Sequence, residues 1–166
     1  MGRFHLIDRK FRQDPSHYIL QALLAFVVVG AIVLLMGTLT RGALVAALGA
    51  SAFVVFAMPD SKTATPRSLI GGHALCMAIG SLCSIPLRLG LVPSNSVSVG
   101  LLGAAAVSLA LFGMVVTDTE HPPAAGNALA FAVAPIGLEH ALFTAGTIVL
   151  LALARHALRG WLRDLT

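Results

Sequence analysis

Residues 18–37 read YILQALLAFVVVGAIVLLMG and contain no charged side chain. Apolar side chains occupy odd and even positions alike, unlike a β-strand with one polar face. A helix needs about 20 apolar residues to cross the hydrocarbon core of a bilayer. The stretch therefore predicts a transmembrane helix.

Five more uncharged stretches follow. They cover residues 42–58, 69–87, 97–117, 122–138 and 141–154. Backbone N–H and C=O groups in lipid must be paired within the protein, so spanning segments are helices or closed barrels. Because the stretches lack the alternation of barrel strands, we predict an all-α, polytopic membrane protein with about six crossings.

The composition excludes a soluble or a disordered chain. Of the 166 residues, 57% are hydrophobic and 11% are charged, whereas an ordinary soluble domain has about 25% charged residues. The net charge of +4 comes from basic residues at the chain ends and between the apolar stretches, where they meet lipid headgroups. We therefore expect a lipid bilayer and no nucleic acid as a partner.

The stretch 122–138 leaves the number of crossings open, because it either spans the membrane or dips in and returns. If it spans, nine basic residues lie on the side of both termini and two, Arg41 and Arg88, lie on the other side. If it does not, the division is six against five. Since basic residues are enriched on the cytoplasmic side, we predict six crossings, both termini in the cytoplasm, and a location in the plasma membrane (the inner membrane of a bacterium).

The membrane domain is predicted to cover residues 18–154. In residues 1–17, Phe4, Ile7 and Phe11 share one face, which predicts a short interfacial helix on the cytoplasmic surface. Residues 155–166 are predicted to form a basic cytoplasmic tail with no further domain after it.

A weak internal repeat has an offset of 54 residues. Leu48-Gly49-Ala50 aligns with Leu102-Gly103-Ala104, and His73 aligns with Asn127. Such a repeat would make the third and fifth spans parallel equivalents. The functional site of repeat-built transporters commonly lies where the repeats meet.

The densest polar cluster in the apolar body runs from Thr117 to Asn127. Proline is tolerated in the first turn of a helix, so a helix beginning near Pro122 and Pro123 would leave the N–H groups of Ala124, Ala125 and Gly126 free to bind an anion. His121 can donate a hydrogen bond in either protonation state. Alternatively, the prolines simply start a helix, and Asp118 and Glu120 are headgroup-level charges that cap it.

The third span begins in a similar way, with Pro66 and Arg67 ahead of Gly71, Gly72 and His73. Two helix starts, each with a polar side chain one turn in, could converge on one small anion. Alternatively, His73 only pairs with a neighbouring carbonyl, although an ionisable group at membrane depth is a functional candidate by default. The candidate binding residues are His121, Pro122, Pro123, Ala124, Gly126, Asn127, His73, Arg67, Gly72 and Thr119.

Small residues recur every four positions on three predicted spans. The stripes are Gly42, Ala46 and Ala50 on the second span, Gly72, Cys76, Gly80 and Ser84 on the third, and Gly100, Ala104 and Ser108 on the fourth. Such stripes let transmembrane helices pack closely. They could instead line a narrow pore, and they are compatible with a homo-oligomer.

Two other residue types receive structural interpretations. Cys76 and Cys83 lie seven residues apart on one predicted helix, too far for an intrachain disulfide, so both are predicted to be small core residues. The remaining histidines are expected at the surface: His5, His17, His140 and His156.

The segment Asp118–Leu129, DTEHPPAAGNAL, resembles the signature of the HPP family of small integral membrane proteins, named for its His-Pro-Pro. The stretch from Gly49-Ala50-Ser51-Ala52 to Gly71-Gly72-His73 is similar to the family's other recurrent block. The resemblance covers residues 18–154. It implies transport, because members in cyanobacteria and chloroplasts are associated with nitrite movement, and family descriptions usually count four spans.

The expected function is a transporter or channel for a small monovalent anion such as nitrite, held by helix N-termini and histidine without a cofactor. A non-transporting scaffold or sensor subunit is the alternative. An enzyme would need His73, His121, Asp118 and Glu120 as metal ligands, but their spacing matches no known metal motif. We therefore expect neither a bound metal nor enzymatic activity.

Overall fold

The computed structural model describes residues 13–36, 42–134 and 136–166. The predicted interfacial helix around Phe4, Ile7 and Phe11 lies outside these residues. The described residues form six α-helices and two 3₁₀ turns. The helices are α1 (Pro15–Met36), α2 (Gly42–Ala57), α3 (Pro66–Arg88), α4 (Ser96–Thr117), α5 (Ala125–Val133) and α6 (Leu138–Leu158), and the turns are Lys62–Ala64 and Pro122–Ala124. The all-α prediction is confirmed.

Local sequence signals fix the starts of α3 and α4. The Thr65 hydroxyl accepts a hydrogen bond from the Ser68 N–H, and Pro66 occupies the first turn. The Asn95 side chain accepts from the Ser98 N–H at 2.9 Å. Side-chain oxygens at these positions satisfy N–H groups that have no partner within the helix, so both helices begin where the polar loops end.

Among the described residues, three helices are long and apolar enough to cross a membrane: α3, α4 and α6. Pro15–Val28 and Leu44–Ala57 are shorter apolar helical stretches within α1 and α2. Large apolar side chains point outward from the described residues, and on α4 they include Leu101, Leu109, Leu111, Phe112, Val115 and Val116. An apolar outer surface of this kind is typical of a protein whose solvent is lipid.

The stretch 122–138 is not one continuous spanning helix. It contains a 3₁₀ turn and the nine-residue helix α5, which at 1.5 Å per residue is about 14 Å long and too short to cross a bilayer alone. Its two ends nevertheless lie at opposite ends of α3: His121 contacts Thr63 just before α3, and the Arg88 guanidinium at the end of α3 donates to the Ile136 carbonyl at 2.9 Å. The segment therefore runs alongside α3, as the parallel repeat predicted.

Helix α5 is the centre of the bundle and packs against α2, α3 and α4. Buried small side chains line its contacts with α3 and α4, namely Cys76, Ala106, Ala110 and Ala128. A second core joins α2, α3 and α6 through Leu48, Val55, Leu69 and Leu151. Both cysteines are free, and Cys76 is buried, as predicted.

The small-residue stripe on α3 is buried, whereas the described residues of the stripes on α2 and α4 are exposed. On α3, Gly72, Cys76, Gly80 and Ser84 are all buried, and a Cβ on Gly80 would lie 2.5 Å from the Ala128 carbonyl oxygen of α5. Helix packing is therefore the role of this stripe. On α2 and α4, in contrast, Ala46, Ala50, Gly100, Ala104 and Ser108 are exposed, so the packing interpretation is wrong within the chain for these two stripes. Those helices turn Ala47, Ser51, Gly103 and Ala106 inward instead.

The C-terminal segment closes one end of the bundle. The Tyr18 hydroxyl of α1 donates to the Leu165 carbonyl at 2.8 Å, and the Leu165 N–H donates to the Ala57 carbonyl at 2.9 Å. Gln21 also contacts Phe56 and Arg163 through its side chain. The beginning of α1, the end of α2 and the C-terminal residues therefore meet at the end where α3 and α5 begin.

Candidate functional site

Four buried polar side chains meet where α2, α3 and α5 converge, and we call them the central cluster: Ser51, His73, His121 and Asn127. The Ser51 Oγ lies 3.0 Å from His73 Nε2 and 2.9 Å from His121 Nε2. The Asn127 Nδ2 lies 2.7 Å from His73 Nδ1. Each of the four residues is at most 1% exposed, so the cluster is isolated from solvent and lipid.

The repeat-related pair His73 and Asn127 is in direct contact. His73 is the eighth residue of α3, just after its second turn, and Asn127 is the third residue of α5. Because both helices begin at the same end of the bundle, the two side chains reach the same depth. The expected convergence of two helix starts therefore takes the form of a side-chain contact.

Gly72 allows His121 to reach the cluster. A Cβ on Gly72 would lie 2.8 Å from the Thr119 carbonyl oxygen and 2.9 Å from the His121 Cβ. These distances are too short for any residue larger than glycine to be accepted without a backbone shift. The loop before α5 thus rests directly on α3, and its histidine points inward.

His121 is held by a backbone carbonyl on its outer side. Its Nδ1 lies 2.7 Å from the Thr63 oxygen, and since a carbonyl can only accept, Nδ1 carries a proton. Burial lowers the pKa of His121 below its ordinary value of 6.5, and the hydrogen bond to Thr63 opposes this shift in part. His121 is therefore neutral at pH 7, with Nε2 as an acceptor towards Ser51.

In the neutral cluster, the hydrogen bonds form a chain from Asn127 through His73 and Ser51 to His121. The Ser51 hydroxyl donates to His121 Nε2, His73 Nε2–H donates to the Ser51 oxygen, and the Asn127 amide donates to His73 Nδ1. The Ala47 carbonyl, 2.8 Å from Ser51 Oγ, offers the hydroxyl a second acceptor. The two imidazole rings, with centroids 5.0 Å apart, are thus linked through one hydroxyl that can turn between acceptors.

Two of the three N–H groups expected to be free at the start of α5 are already paired. The Ala124 N–H donates to the His121 carbonyl at 2.9 Å, and the Ala125 N–H donates to the Pro122 and Pro123 carbonyls. The 3₁₀ turn consumes these donors, so for Ala124 and Ala125 the prediction of a backbone anion site is wrong. Gly126 lies in the next turn, and Pro122 is exposed.

Arg67 and Thr119 lie at the rim and not in the central cluster. The Arg67 guanidinium donates to the Thr117 carbonyl at 2.9 Å, and the Thr119 hydroxyl pairs with the Thr117 hydroxyl at 2.8 Å. Gly71 contacts this rim, because a Cβ there would lie 2.9 Å from Thr119 Cγ2.

The rim charges form a balanced group outside His121. Lys62 bonds to Asp118 and lies 3.2 Å from Glu120, while Arg67 lies 3.5 Å from Asp118. The bond between Lys62 and Asp118 raises the pKa of Lys62 and lowers the pKa of Asp118. Since the His121 position has no side-chain cap, Asp118 and Glu120 serve as ion-pair partners and do not cap the turn.

Sequence reasoning missed Ser51 and the Thr63 carbonyl. Ser51 is the one polar side chain in 42–58, and a lone hydroxyl in an apolar span is a usable signal. The Thr63 carbonyl carries no side-chain signal. The surface prediction was also wrong for His140, which is buried, and holds for His156, which is exposed.

The sequence of residues 10–161 matches the family model described as "HPP, transmembrane region". The chain belongs to the HPP transmembrane family. Its membership covers all six described helices, and the His121-Pro122-Pro123 tripeptide after which the family is named brings His121 into the central cluster.

Two Dictyostelium discoideum proteins, each described as a transmembrane protein, are similar to this HPP-family chain. Each is 38% identical over 86 residues, which is 52% of this chain and 28% or 26% of the relative. The match thus covers little more than a quarter of either relative. No solved structure matches the chain.

Proposed function

We propose that this HPP-family protein is a transporter or channel for a small monovalent anion, with nitrite as the expected substrate. The observation that carries the proposal is the central cluster, in which two histidines, a serine and an asparagine meet inside an apolar bundle. Polar and ionisable groups at membrane depth are costly, and they commonly mark substrate or ion pathways.

The chemistry of the cluster suits an anion that must also be released. Its hydrogen-bonding groups belong to side chains without a permanent charge, with no lysine or arginine among them. Lys62 and Arg67 lie at the rim. A conducting site must bind its ion weakly enough to let it leave. Side chains without a permanent charge provide that balance, whereas a buried lysine or arginine would hold the anion tightly.

The donor set differs from the one expected from sequence. Because the N–H groups of Ala124 and Ala125 are already paired, the proposal assigns anion binding to the side chains of the central cluster. Nitrite is small and planar, and a few such donors satisfy it. The family resemblance, which implies nitrite movement, supports the same choice.

The proposed orientation places both termini in the cytoplasm, with six crossings of the plasma membrane. It is supported by the basic residues, nine on the terminal side and two on the other. The contacts of Tyr18 and Ala57 with Leu165 gather the beginning of α1 and the C-terminal residues at one end, as an even number of crossings requires.

The experiment is anion uptake by proteoliposomes that contain the full-length chain. Nitrite, nitrate, formate and chloride are each tested at the same gradient, with protein-free liposomes to subtract passage of nitrous acid through lipid. We expect nitrite uptake well above the protein-free rate. Uptake at the protein-free rate for all four anions would contradict the proposed function.

A further inference from the structure

A small internal cavity lies beside the central cluster and is not part of the network described above. The space between helices α2, α3, α5 and α6 has a cavity volume of about 10 Å³. Its polar lining consists of His73, Asn127, Thr144 and Thr147, and the remaining lining side chains are apolar. The narrow shape has room for about one water-sized molecule.

Two buried polar atoms at this cavity have no hydrogen-bond partner among the described residues. They are Asn127 Oδ1 and Thr147 Oγ1, on side chains that are 1% and 2% exposed. Buried polar groups are nearly always paired, so an unpaired one needs an explanation. Thr144 differs, because its hydroxyl donates to the His140 carbonyl at 2.8 Å. Asn127 and Thr147 thus present unused hydrogen-bonding capacity to one small space.

In the neutral cluster, a hydrogen-bond acceptor faces the cavity. The Asn127 amide nitrogen is used by His73 Nδ1, so the amide oxygen is the atom left for the cavity. An acceptor repels an anion. The neutral cluster therefore does not favour anion entry.

One added proton permits the opposite arrangement, in which the hydrogen bonds reverse and the Asn127 amide turns over. His121 Nδ1–H keeps its bond to the Thr63 carbonyl, and a proton on His121 Nε2 donates to Ser51. That proton reaches His121 by a relay: the added proton binds His73 Nδ1, the His73 Nε2 proton passes to the Ser51 oxygen, and the Ser51 hydroxyl proton passes to His121 Nε2. The Ser51 hydroxyl then donates to His73 Nε2, and His73 Nδ1–H faces Asn127. If the Asn127 amide then turns over, its oxygen accepts from His73 and its NH₂ group faces the cavity.

We propose that this cavity is the inner binding site of the transported anion, and that the anion enters it together with one proton carried by the His73–His121 pair. The proposal rests on the proposed function. In the loaded site the Asn127 NH₂ and the Thr147 hydroxyl donate to the anion. The imidazolium charge balances the anion charge in a medium where an isolated charge is costly.

Linkage makes the effect reciprocal: a proton on the pair strengthens anion binding, and a bound anion strengthens proton binding by the same factor. The titratable groups near the pair are Cys76 on α3, Lys62, Asp118 and Glu120 at the rim, and Arg155 of α6, which donates to the Pro59 carbonyl at 2.7 Å. The rim charges are paired with one another. The histidine pair is thus the group left to respond near neutral pH.

The size of the cavity sets a further requirement. Nitrite has three heavy atoms, so the lining must widen when it binds. Apolar side chains of α2 and α6 form half of that lining, so widening it there displaces side chains that make no hydrogen bond. A site that opens for its ion and closes behind it holds the ion briefly, as transport requires.

The test compares Thr147→Val with Thr144→Val in the full-length protein, using nitrite uptake into proteoliposomes at several pH values. Both changes replace a hydroxyl by a methyl group of similar size at the same cavity. Losing a hydrogen bond to a charged ligand weakens binding about tenfold or more. We expect the KM for nitrite to rise by about that factor in Thr147→Val, and to stay near wild type in Thr144→Val and in Thr147→Ser.

The pH series tests the proton. With one proton bound per anion, the wild-type KM rises about tenfold per pH unit once the free pair is deprotonated. A wild-type protein without nitrite uptake would overturn the proposed function and this site with it. Uptake with equal KM values in wild type and Thr147→Val would overturn the site alone. A KM independent of pH would overturn the coupled proton.

Discussion

Ser51 is the residue that links the two histidines by hydrogen bonds. Its hydroxyl lies within 3.0 Å of both Nε2 atoms, and it also has the helical carbonyl of Ala47 as an alternative acceptor. Serine often bonds back to the carbonyl four residues earlier. In the proposed proton step, the direction in which this hydroxyl donates follows the protonation of His121.

Also at the residue scale, the pKa of His121 predicts how the free energy of unfolding depends on pH. Burial lowers its pKa in the folded state below 6.5. At pH values between the folded-state pKa and the unfolded-state pKa of about 6.5, the unfolded chain binds more protons than the folded one. The free energy of unfolding therefore falls as pH drops below about 6.5. The decline from this single group is at most about 1.4 kcal/mol per pH unit.

Chemical unfolding in detergent from pH 8 to pH 5 measures this decline. We expect His121→Asn to lose part of it, because asparagine does not titrate. His156→Asn, at an exposed position, is the control and should retain the wild-type slope. An unchanged slope in His121→Asn would contradict the assignment of the decline to His121.

At the scale of helices, the contact between α3 and α5 depends on the absence of side chains. Gly80 lies so near the Ala128 carbonyl and Phe131 Cβ that an added Cβ would be 2.5 Å and 2.8 Å from them. Gly100 on α4 has no atom within 4 Å of its Cβ position. The same substitution therefore has opposite expected effects on the two helices.

Gly80→Ala is expected to lower the free energy of unfolding by about 1–3 kcal/mol, the usual cost of overpacking. Gly100→Ala is expected to leave it unchanged or to raise it by about 0.5–1 kcal/mol, because alanine favours the helix. Thermal or denaturant unfolding of the purified proteins measures both. A Gly80→Ala protein as stable as Gly100→Ala would show that α3 and α5 are not in close contact.

Helix positions were predictable because the absence of charge marks each apolar segment. The uncharged stretch 97–117 became α4, Ser96–Thr117, and 69–87 became α3, Pro66–Arg88. Which side of α2 and of α4 faces the core was not predictable from small residues, because alanine and glycine are spread around these helices. Whether Ala50 or Ser51 points inward depends on where α5 packs.

The candidate site was predictable in part for a related reason. His73, His121 and Asn127 were singled out as polar groups in an apolar body, and the structure brings them together. The N–H groups of Ala124 and Ala125 were misjudged because the Pro-Pro sequence forms a 3₁₀ turn before the helix begins. Thr147 became a candidate when α6 placed it against the cavity.

At the scale of the whole molecule, the scarcity of charge determines how an anion can be handled. The described basic side chains lie at the ends of the bundle, including Lys62, Arg67 and Arg155 at one end and Arg88 at the other. Moving a monovalent anion against a membrane potential costs about 2.3 kcal/mol per 100 mV. A proton that travels with the anion removes this cost, and histidines in the central cluster are placed to carry it.

The central claim, that the buried histidine cluster handles the anion, is tested most directly by nitrite uptake into proteoliposomes that contain His121→Ala. His156→Ala serves as the matched control, because it removes an exposed histidine from the same chain. The account predicts that His121→Ala falls to the rate of protein-free liposomes while His156→Ala retains the wild-type rate. Nitrite uptake by His121→Ala at the wild-type rate would contradict it.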